Sequence, residues 1–253
     1  MEKEKIKLSG FNNLTKVLSF NLYDFCIAFS DEERGQYVNY IHDRYSAKKI
    51  TEISCEIVKA IDAQILSVSS QDYDPVGASS MVLMSDLKGG GSPIPTAQVS
   101  LHLDKSHITV HTYPDASDPD GICSFRVDID ISTCGEIVPL DAINYLFDVF
   151  ECDVTYIDYI VRGYTRLADG KKIYNDHQFN SIQDFIRPKI KSNYTYLSDI
   201  NMPQDNTWQT KMMIKQLGPE TYLLNPEDIK HPQLPEKMKL LREEMKEVYY
   251  MIH

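Results

Sequence analysis

Alternation with a period of two is the feature that most restricts what this chain can become. In residues 15–29, Val17, Ser19, Asn21 and Tyr23 alternate with Leu18, Phe20, Leu22 and Asp24. Successive side chains of a strand point to opposite faces, so the pattern predicts a strand with one face on a core. The same reading holds for residues 63–70, 79–84, 97–103, 107–112, 122–131 and 153–165. In the stretch 122–131, Phe125, Val127, Ile129 and Ile131 share one face.

Helical signals fall between these strands. Ser30 followed three residues later by Glu33 is a cap signature, and Tyr37, Val38, Ile41 and Tyr45 continue it at helical spacing. Ile50, Ile53, Ile57, Val58 and Ile61 mark one face of a second helix over 49–61. A third is predicted over 139–150, with Pro139 in its first turn. Asp74-Pro75-Val76-Gly77 and residues 115–121 read as turns, and Lys88-Gly89-Gly90-Gly91-Ser92-Pro93 as a loop inserted within one domain. Beyond residue 171 the pattern weakens, with helices expected near 181–186, 208–217 and 235–251. The order β-α-α-β-β-β-β-α-β predicts an α+β fold. It is a mainly antiparallel sheet packed with helices on one face, an α/β sandwich, followed by a less regular, partly helical C-terminal extension over 171–253.

Composition removes several classes of function. A net charge of −11, from 26 basic and 37 acidic residues, argues against a nucleic-acid partner, which would favour a basic face. No apolar run approaches the ~18 residues of a membrane span. Met1-Glu2-Lys3-Glu4-Lys5 lacks the apolar core of a secretory signal, so a cytoplasmic protein is expected. Cys26, Cys55, Cys123, Cys134 and Cys152 are odd in number and irregularly spaced, without a CxxC pair. That excludes a disulfide framework and a zinc knuckle as readings and fits a reducing compartment.

The residues with chemistry to offer cluster in Leu103-Asp104-Lys105-Ser106-His107-Ile108-Thr109-Val110-His111-Thr112-Tyr113-Pro114. A serine hydroxyl becomes a nucleophile only when a base takes its proton, and His111, five residues on, is a candidate base besides the adjacent His107. A straight strand at about 3.3 Å per residue puts Ser106 and His111 on opposite faces, roughly 16 Å apart. There is no G-x-S-x-G elbow to frame a serine hydrolase. A metal site of His102, His107 and His111 meets a similar obstacle, because His107 and His111 lie about 13 Å apart along one face. From the residues alone, a Ser/His or Cys/His hydrolase and a metal site both stay open.

This run, together with Ser132-Thr133-Cys134-Gly135, resembles the processing site of bacterial S-adenosylmethionine decarboxylase proenzymes, in their longer, pyruvoyl-dependent form. The resemblance continues through residues 10–16, Gln71-Asp72-Tyr73, Gly77-Ala78-Ser79, 162–166, 180–183 and 244–250, and so covers nearly the whole chain. It implies a single catalytic domain that cleaves itself between Lys105 and Ser106 into 1–105 (β chain) and 106–253 (α chain). Ser106 would attack the Lys105 carbonyl, His111 would accept the Cα proton of the resulting ester, and Ser106 would end as the pyruvoyl group. That ketone would form a Schiff base with S-adenosyl-L-methionine, and Cys134 would donate the proton that replaces carbon dioxide. Ser79 matches a residue that assists processing. The product, decarboxylated S-adenosylmethionine, supplies aminopropyl groups for spermidine.

The resemblance further implies a homo-oligomer of the cleaved pair. It implies Mg2+ in some long-form members, with no ligand cluster here to locate it. It also requires the chain to turn between Ser106 and His111. A non-catalytic partner subunit would have lost Ser106, His111 or Cys134, and all three are present. An unrelated hydrolase would keep Ser106 as serine and release no split chain.

Overall fold

The computed structural model describes residues 13–86, 106–167, 169–215 and 217–252. In chain order the elements are β1 (Thr15–Ile27), α1 (Asp31–Tyr45), α2 (Ala47–Ala60), β2 (Ala63–Asp72), β3 (Ala78–Asp86), β4 (Ser106–Asp115) and β5 (Ile122–Cys134). There follow α3 (Ile143–Val149), β6 (Val154–Arg162), β7 (Thr165–Arg166), β8 (Lys172–Ile173), α4 (Pro188–Lys191), β9 (Tyr194–Met202), β10 (Thr207–Ile214) and α5 (Leu234–Tyr250). Eight strands form one sheet in the order β2-β3-β4-β5-β1-β6-β10-β9, every neighbouring pair antiparallel. The strands β7 and β8 form a separate small ribbon.

One face of the sheet carries the main core. Leu18, Phe20 and Leu22 of β1 lie beside Val127, Ile129 and Ile131 of β5 and Ile157 and Tyr159 of β6, all fully buried. The helices α1 and α2 cover this face through Tyr37, Ile41, Ile50 and Ile57, and α3 adds Ile143 and Leu146. Ser30 caps α1 as its sequence predicts: its hydroxyl accepts from the Glu33 amide at 3.2 Å, and Glu33 accepts from the Phe29 amide at 2.7 Å. On the opposite face, α5 seats Leu234, Met238, Leu241 and Met245 against Phe25, Ile27, Ile122, Val154, Tyr156 and Met213 at one end of the sheet. The middle of that face is polar, with Ser19, Asn21, Thr109, Asp130 and Asp158 in register across four strands.

Of the three helices predicted in the extension, the one near 235–251 is α5 and the other two differ. In place of the helix predicted over 208–217, residues 208–214 lie in β10, in which Trp208, Thr210 and Met212 point to the core and Gln209 and Lys211 to the other face. Here a period of two prevailed over an apparent helical one because the free edge of β6 accepts the segment as a strand. Its neighbour β9 gave no signal because it is an edge strand whose side chains are mostly exposed. The helix expected near 181–186 is a 3-10 turn, Ile182–Phe185, closed by a capping box between Ser181 and Asp184. The predicted strand 97–103 and the glycine-rich loop lie outside the described residues.

Candidate active site

The strand β4 runs without interruption from Ser106 to Asp115, flanked on both sides. Against β3 it pairs Ser106 with Met84 and His111 with Ser79; against β5 it pairs His107 with Ser132 and His111 with Asp128. The expected turn between Ser106 and His111 is therefore absent. Two ladders hold the backbone extended, and a turn would break hydrogen bonds to both neighbours. Ser106 and His111 stand on opposite faces of the sheet, about 16 Å apart along the strand.

Ser106 sits with Cys134. Ser106 is buried, and its Oγ accepts a hydrogen bond from the Cys134 amide at 3.0 Å. Cys134 ends β5 and is only half-buried; its Sγ lies 3.9 Å from the hydroxyl of Thr15, its cross-strand partner. Gly135 follows with φ +74°, a left-handed turn that glycine takes without a steric penalty. The Thr133 hydroxyl lies 3.1 Å from the Ile137 carbonyl and 3.4 Å from the Lys16 carbonyl, bracing this turn against β1. Lys105, on the other side of the predicted scissile bond, is outside the described residues.

His111 belongs to a second group. It shares its face with Ser79, directly opposite on β3. The neighbouring Ser80 points to the helices, where its hydroxyl meets that of Thr51 at 2.8 Å. The Tyr73 hydroxyl lies 3.4 Å from His111 Nδ1, and the Tyr113 ring stacks near the imidazole with centroids 6.4 Å apart. Gly77 makes this approach feasible. At φ +99°, a Cβ there would come within 2.7 Å of the Thr112 carbonyl oxygen and 3.3 Å of the Tyr73 ring.

The remaining titratable groups separate by environment. Asp128 accepts from Arg126 at 2.9 and 2.7 Å, and Asp130 accepts from Ser19. Burial pushes the thiols of Cys26, Cys123 and Cys152 up, that of Cys123 to about 11, as fits apolar packing groups. Among the described residues no group of three or more His, Cys, Asp or Glu could hold a metal ion. No helix among them is long and apolar enough to cross a membrane.

The family model described as S-adenosylmethionine decarboxylase matches residues 42–163. An S-adenosylmethionine decarboxylase proenzyme of Stenotrophomonas maltophilia is 46% identical, over 97% of this chain and 96% of its own. One from Clostridium botulinum is 45% identical, over 98% of this chain and 96% of its own. The chain belongs to the S-adenosylmethionine decarboxylase family. A crystal structure of the adenosylmethionine decarboxylase of Aquifex aeolicus, 17% identical, aligns with 66% of this chain and 97% of that one at a TM-score of 0.36.

For a member of the S-adenosylmethionine decarboxylase family, Ser79, Ser106, His111 and Cys134 fall into two pairs and not one cluster. Sequence reasoning missed a third group entirely. Lys16 is fully buried and bonded to Asp176 at 2.5 Å, and Asp176 in turn meets His177 Nδ1 at 2.9 Å. Burial alone would raise the Asp176 carboxyl, but the His177 hydrogen bond and the Lys16 ammonium together hold it below its ordinary range. The available signal was a lysine at a core register position of β1, on the face of Leu18 and Phe20.

Proposed function

We propose that this chain is made as a proenzyme, cuts itself between Lys105 and Ser106, and then decarboxylates S-adenosyl-L-methionine. The products are carbon dioxide and decarboxylated S-adenosylmethionine, an aminopropyl donor for spermidine synthesis. The observation that carries this reading is the hydrogen bond from the Cys134 amide to Ser106 Oγ. It joins the residue that would become a ketone to the residue that would protonate the substrate carbon.

In self-cleavage the Ser106 hydroxyl adds to the Lys105 carbonyl, the C–N bond breaks, and the Ser106 nitrogen leaves as an amine. The Cys134 amide holds Oγ and is placed to stabilise the charge that develops on that oxygen when it later leaves Cβ as part of the Lys105 carboxylate. A base removes the Ser106 Cα proton, the ester carboxylate departs from Cβ, and hydrolysis of the resulting enamine releases ammonia. Formed from Ser106, a pyruvoyl group would supply the ketone that a substrate amine can condense with and the electron sink that decarboxylation needs. The Cys134 thiol, facing Thr15 on the open side of the sheet, delivers the proton to the carbon that lost the carboxylate.

His111 fits the base in chemistry and misfits it in position, since one extended strand keeps it about 16 Å from Ser106. We therefore assign the base to His111 of a second copy. Each site would combine Ser106 and Cys134 of one chain with Ser79 and His111 of another in a homo-oligomer, the second pair presented from the polar sheet face of its own chain. The half-buried Ser79 and His111 on that face support this arrangement.

Denaturing electrophoresis with intact mass tests the proposal. The wild-type chain of 29.1 kDa should give fragments of about 12 and 17 kDa in proportion to 105 and 148 residues, the larger without a free amino terminus. Ser106→Ala should stay whole. An active, unsplit wild-type chain indifferent to carbonyl reagents ends the reading.

A further inference from the structure

We infer that Lys16, Asp176 and His177 form a positioning network for the reaction centre and act on it through Thr133. The inference rests on Ser106 and Cys134 being that centre. It assigns a role to three residues that the proposed mechanism does not use.

Stability is a poor explanation for this cluster. Withdrawing a lysine and a carboxylate from water is costly for each ion, and apolar pairs of similar volume often stabilise a core as well. Here the lysine is fully buried, and both side chains of Asp176 and His177 are nearly so. Facing an ionised carboxylate, His177 Nδ1 carries the hydrogen and donates. Its Nε2 is buried without a hydrogen-bond partner among the described residues, while the ring stacks on Phe179 at 5.3 Å and 16°. The imidazole is thus committed to orienting Asp176.

The contacts run unbroken to the reacting hydroxyl. His177 Nδ1 meets Asp176 Oδ1 at 2.9 Å, and Lys16 Nζ meets Asp176 Oδ2 at 2.5 Å. The Thr133 hydroxyl reaches the Lys16 carbonyl at 3.4 Å, and the next residue's amide donates to Ser106 Oγ at 3.0 Å. Lys16 and Thr133 are direct cross-strand partners, and Ser106 lies one strand further along the same row. At about 4.8 Å per strand, the Lys16 backbone is roughly 10 Å from that of Ser106. Asp176 and His177 belong to the extension beyond residue 171, so the network also gives that segment a purpose: it clamps the start of β1, which sets the Thr133-Cys134 turn.

The test uses the full chain carrying Lys16→Met with Asp176→Leu, and separately His177→Phe, which preserves the stack on Phe179 and removes the donor. Melting temperature, self-cleavage half-time, and kcat and KM for S-adenosylmethionine are measured on each. The paired variant should melt no lower than wild type yet cleave and turn over about ten-fold more slowly, with KM unchanged. His177→Phe should lower kcat about three-fold at unchanged melting temperature and KM. Wild-type cleavage and kcat in a folded paired variant overturn the inference. Should that variant fail to fold, wild-type kcat in His177→Phe overturns it, and reduced kcat alone at constant melting temperature and KM upholds it. Cleavage of Ser106→Ala is a different failure, one that removes the reaction centre itself.

Discussion

Two groups on one strand show how differently a protein can hold the parts of a single chemistry. At its first residue, Ser106 is buried and gripped by the Cys134 amide, under a turn tied down by Thr133. Five residues on, His111 is half-buried on the opposite face, beside Ser79 and Tyr73 on open sheet. In the first group the serine is buried within its own chain and held by a backbone amide, while the Cys134 side chain stays half-buried. The second is presented outward, as a group that serves a neighbour would be. Proximity in sequence is misleading inside a strand, because an odd spacing sends two side chains to opposite sides.

The sharpest way to break the comparison is complementation. Ser106→Ala and His111→Ala should each abolish self-cleavage when expressed alone. Co-expressed, the His111→Ala chain should split, because the Ser106→Ala chain still carries His111. Gel analysis that shows no split in the mixture would eliminate the shared site. Next in size, Cys134→Ala should spare most of the cleavage while lowering kcat about 100-fold, the scale of a lost general acid. Single-turnover kinetics on the cleaved variant check this.

On the His111 side, Gly77→Ala forces a Cβ onto the Thr112 carbonyl at a left-handed backbone. It should cost about 1–3 kcal/mol of stability and slow cleavage by displacing Tyr73, while a pre-cleaved sample keeps its turnover. Denaturant titration and cleavage half-times separate the two effects.

The smallest effect lies at the other end of the sheet and calibrates both groups. Burial raises the Asp153 carboxyl to about 7, and Asp24 beside it is raised well above the ordinary range by burial and by Asp153. Asp153 accepts from the Phe25 amide at 3.0 Å and from the Tyr222 hydroxyl at 3.3 Å, joining the extension to β1. The folded chain binds more protons here than the unfolded one between about pH 4 and 7, so stability must fall as pH rises through that window. A loss on the order of 2 kcal/mol is expected, read as a falling melting temperature from pH 5 to 8 that flattens in Asp153→Asn.

Much of this was legible in the residues. The strands β1, β5 and β6 and the capped start of α1 follow from periodicity and one cap, both local properties. Ser106, His111, Cys134 and Ser79 were named from their motifs. Other features were not readable, since they depend on partners distant in sequence. Residues 208–214 became a strand because β6 had an edge to offer, and Ser80 was separated from Ser79 only by which face met α2. Nothing near Lys16 in the chain announces its partner, because Asp176 lies 160 residues away. By itself the sequence determined the identities of the reacting groups and the alternation that orients them. The tertiary structure alone decided which of them share a face, because strand order and register are set by packing across the whole sheet and not by neighbours along the chain.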